Sequence, residues 1–83
     1  MPTHTHQFVE TYQGFLGFGL NRETDENTVM VYLQKLADDR LAKVLVQRMS
    51  DSQLEALFND ISALLHRHLA EEEYHDLFLR DKK

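Results

Sequence analysis

Ser50-Asp51-Ser52-Gln53 opens a run in which Leu54, Leu57, Phe58, Ile61, Leu64, Leu65 and Leu69 recur at steps of three and four. A serine followed three residues later by glutamine is a helix start signal, and the spacing that follows is that of a helix with one apolar face. No strand-like alternation survives beyond a few residues anywhere in the chain. Val29 to Leu33 and Val44-Leu45-Val46 are β-prone in composition but lie inside helical patterns. The expected architecture is all-α, a compact bundle of four or five short helices, with the Ser50 run lying on its core.

The same phase test locates the other helices. Thr3 or Thr5 can cap a first helix that buries Phe8, Tyr12, Phe15 and Leu16, is weakened by Gly14, and stops at Gly17 and Gly19. Thr24 or Asp25 then caps a second, with Glu26 near its positive end and Val29, Leu33 and Leu36 as its stripe. At 100° per residue, Leu41, Val44 and Leu45 lie about 110° from that stripe, so one straight helix cannot bury both sets. A turn is expected near Ala37-Asp38-Asp39, with a third helix to Arg48 or Met49; a single curved helix is the alternative. The fourth helix is expected to end near His68, because Tyr74, Leu77 and Phe78 fall on the opposite side from the Leu54 stripe. A fifth then runs from Glu71 to about Leu79. Leu69 and Tyr74 sit at the positions of a hydrophobic staple, and Glu71, Glu72 and Glu73 suit a helix N-terminus.

An 83-residue chain has room for one domain, read as residues 1–83 with mobile ends at 1–4 and 80–83. Such a chain buries only about 60–65% of the surface its unfolded form exposes, which makes a second subunit a natural source of further stability. Cysteine is absent, which removes disulfides, thiolate nucleophiles and cysteine zinc sites. No apolar run approaches the roughly 20 residues that span a bilayer, and the first residues lack the layout of a secretory signal, so the cytoplasm is the expected location. The net charge of −5 disfavours nucleic acid and anionic membranes as partners.

Five histidines in an acidic chain raise the question of a metal. His68, Glu72 and His75 are the best-spaced ligands, since i, i+3 and i, i+4 steps place two donors on one helical face. Glu72 and His75 resemble half of a ferritin-type di-iron motif, but the second such element is missing. Solvated charges at a helix start account for the same letters, with His68 partly buried near the apolar face and His66 at its edge. The serines have no nucleophile elbow around them, and the glycines at 14, 17 and 19 follow a helix without the Lys-Ser/Thr of a phosphate loop. No enzyme activity and no cofactor are implied. Arg40, Lys43 and Gln47 share a polar face of the third helix, as in a helix-turn-helix DNA regulator, although the acidic total opposes it.

What remains is a small protein-protein interaction or regulatory module whose partner is another protein or a second copy of itself. The apolar groups at the two ends exceed the needs of one small core, and exposed patches of this kind mark interfaces. Phe15, Phe18, Leu20, Tyr74 and Phe78 are accordingly the expected partner-binding residues. A metal-binding helical protein using His68, Glu72 and His75 is the first alternative and the DNA regulator the second.

Overall fold

The computed structural model describes residues 6–81. The expected caps Thr3 and Thr5, and the chain ends at 1–4 and 82–83, lie outside the described residues. The chain is all-α: five α-helices and a terminal π-helical stretch follow one another, with no strand among the described residues. Its internal contacts gather into two units that divide between Gln47 and Arg48.

In the first unit, α1 covers only Gln7–Thr11, so it stops well short of the expected Gly17. Tyr12 is already extended, and its hydroxyl donates to the Phe15 carbonyl at 3.0 Å, folding the chain tightly over Gly14. A Cβ at Gly14 would overlap the Tyr12 ring, so glycine permits this turn. Phe8 and Tyr12 are half-buried and stack at 5.1 Å between ring centroids, whereas Phe15 and Leu16 are exposed rather than buried.

Helix α2 spans Arg22–Leu36, starting earlier than Thr24 or Asp25 would set it. Asn21 is the cap: its side-chain oxygen accepts the Thr24 N–H at 2.8 Å. Asp25 instead accepts the Gly19 N–H at 2.7 Å, tying down a glycine with φ of +103°. Arg22 and Glu26 pair one turn apart at 2.7 Å.

The inward face of α2 is not its expected stripe. Thr28, at 6% exposure, and Val31, at 3%, are the buried residues among those described, and Thr24, Asn27 and Gln34 on the same side are half-buried. Val29, Leu33 and Leu36 lie roughly 140–200° round the helix from Val31 and are exposed. Hydrogen bonds explain the choice. The Thr28 hydroxyl accepts the Gly17 N–H and donates to the Gly17 carbonyl, both at 3.1 Å, and Gln34 Oε1 accepts the Val9 N–H at 2.9 Å. Connector and α1 are thus held by polar groups of α2, satisfying backbone that would otherwise be costly to cover.

The expected break follows α2. The chain turns at Ala37 and Asp38, and α3 spans Asp39–Arg48. Asp38 caps it, one carboxylate oxygen accepting the N–H groups of Arg40 and Leu41, each at 3.1 Å. Leu41, Val44 and Leu45 share one face of α3 and are exposed.

In the second unit, α4 spans Asp51–His68. Its start carries a capping box: Ser50 Oγ accepts the Gln53 N–H at 3.2 Å, and Gln53 Oε1 accepts the Ser50 N–H at 2.9 Å. After Leu69 and Ala70 come α5, Glu71–Glu73, and without interruption a π-helical stretch, Tyr74–Leu79. Ala70 has no side-chain acceptor, but Glu73 reaches back to its N–H at 2.8 Å, completing half a box. The π stretch ends at Arg80, in the left-handed region at φ 58°, whose N–H bonds the His75 carbonyl; the Asp81 N–H bonds the same oxygen at 3.2 Å. No helix among the described residues is long and apolar enough to cross a membrane.

Two substitutions test these local anchors by urea unfolding of the full chain. Thr28→Val keeps the shape but strands both polar groups of Gly17, and should cost about 1–3 kcal/mol, with Thr28→Ser retaining most of the stability. Ser50→Ala should cost about 1 kcal/mol and show as faster amide exchange confined to the first turn of α4.

Candidate interaction surface

Leu54, Leu57, Phe58, Ile61 and Leu64 fall within about 120° of one another around α4, as the 100° step of a helix dictates. The stripe is continuous along most of the helix, and the capping box fixes where it begins. It was expected to lie on a core. All five side chains are instead exposed, from 38% at Leu54 to 68% at Phe58, and α4 contains no buried residue. Leu65 and Ser62, toward one edge of the stripe, are half-buried.

That edge is where the C-terminal segment closes on α4. The Tyr74 ring stacks on His66 at 5.7 Å and on Phe78 at 5.3 Å, and meets His75 edge-on at 6.0 Å. Tyr74 and Phe78 lie about one turn apart on the same face of this segment, with their rings stacked. Leu65, Leu69 and Tyr74 line one concavity with His66, Glu71 and His75, consistent with the staple between Leu69 and Tyr74. His75 Nδ1 lies 3.1 Å from a carboxylate oxygen of Asp81, which ties the chain past Arg80 back to the π stretch.

Charge is unevenly spread along α4. Asp51 and Glu55 occupy its first two turns and Asp60 its middle, whereas His66, Arg67 and His68 form its last turn. Asp51 at the start and Arg67 at the end each lie where the macrodipole favours them. Asp60 and Arg67 border the stripe together with Ala63 and Leu64.

The expected metal ligands are not assembled. His68 ends α4 and is exposed, Glu72 is exposed one helix further on, and half-buried His75 is occupied with Asp81. The break at Leu69-Ala70 separates them, and among the described residues no three His, Asp or Glu side chains gather to hold a metal ion. The partial burial expected of His68 does not occur because the stripe it prolongs is itself open.

The expected partner residues have different fates in the two units. Phe15, Phe18 and Leu20 stand at the surface of the first, with Phe18 at 74% exposure. Phe18 borders a groove with Arg22, Asp25, Glu26, Val29 and Met30 on α2. In the second unit Tyr74 is half-buried within its ring stack while Phe78 is partly exposed at its end. Arg40, Lys43 and Gln47 lie exposed along α3. The α4 stripe itself was not among the expected contact residues, because a regular apolar stripe reads as core until its neighbours are known.

The ring stack is the element most open to test. Tyr74→Leu keeps an apolar group but removes three ring contacts, two stacked and one edge-on, and a stacked aromatic pair is worth about 0.5–1.5 kcal/mol. Amide exchange should accelerate across residues 74–79 and leave the middle of α4 unchanged. No protein-family model matches this chain, and neither a curated protein nor a solved structure matches it.

Proposed function

We propose that this protein is a small non-catalytic interaction module that works by protein–protein contact through the apolar face of α4. The observation that carries the reading is the open stripe from Leu54 to Leu64, unbroken by a polar residue within its sector and exposed throughout. Five large apolar side chains in a row exceed the scattered exposure normal for a water-facing helix. Phe58, the most exposed of them, is the natural anchor, since aromatic side chains near the centre of a contact carry a large share of its energy. The polar residues that border the stripe, Asp60 and Arg67, suit the rim of such a contact. Phe15, Phe18 and Leu20 are each exposed on the first unit, and Phe18 serves as the internal control.

The test is capture from the native host with the tagged full chain, comparing wild type with Phe58→Asp and Phe18→Asp. Proteins held by wild type, further copies of the chain included, should fall at least about 30-fold with Phe58→Asp, the loss expected for a central anchor worth 2 kcal/mol or more. They should persist with Phe18→Asp. Circular dichroism establishes that each variant keeps its helix content. Equal capture by all three, or none by wild type, overturns the reading.

A further inference from the structure

We draw no further inference here: the strongest candidate, the open apolar face of α4 from Leu54 to Leu64, belongs to the surface already described, and nothing in the structure shows what covers it.

Discussion

The hydroxyl of Thr28 both accepts from and donates to the backbone of Gly17, and the orientation of α2 depends on that clasp. A connector laid across a helix must have its own N–H and C=O groups satisfied, and an apolar face cannot do this. Thr28 and Gln34 can, so the side bearing Thr24, Thr28, Val31 and Gln34 turns inward and the side bearing Val29, Leu33 and Leu36 is left outside. The first unit is consequently held by hydrogen bonds around one buried valine rather than by an oil-drop core. Its apolar residues remain available at the surface.

A related division governs the second unit by different means. Aromatic stacking of His66, Tyr74 and Phe78 secures the C-terminal end of α4 from one edge and leaves the stripe itself uncovered. In both units the residues that organise the local fold and those suited to contact lie on different sides of the same helix. Substitutions on one side can therefore be expected to spare the other, because sites without shared partners act almost independently.

What could be read from the sequence follows the range of the interactions involved. The break at Asp38, the capping box at Ser50 and the start of α5 after Ala70 are set by side chains within three or four residues of the backbone they cap. Phase and capping preference suffice to find them. The inward face of α2 rests on bonds across eleven and twenty-five residues, to Gly17 and Val9, and no local preference announces those. The early end of α1 falls between these cases: Gly14 was legible as a weak point, but the Tyr12 hydroxyl reaching the Phe15 carbonyl was not. The α4 stripe was legible residue by residue. Periodicity says which residues are apolar on one side and is silent on what covers them.

An open stripe on a capped helix makes the stability of that helix a function of its surroundings. Any body that covers Phe58 and Ile61 in the folded chain and ignores the unfolded one adds RT ln(1 + [L]/Kd), about 2.7 kcal/mol at a hundredfold excess over the dissociation constant. For a helix with no buried residue of its own, that increment is comparable to everything its caps provide. Abundance then becomes a structural variable. A melting temperature measured for this chain has a meaning only alongside the concentration of whatever shares the solution with it.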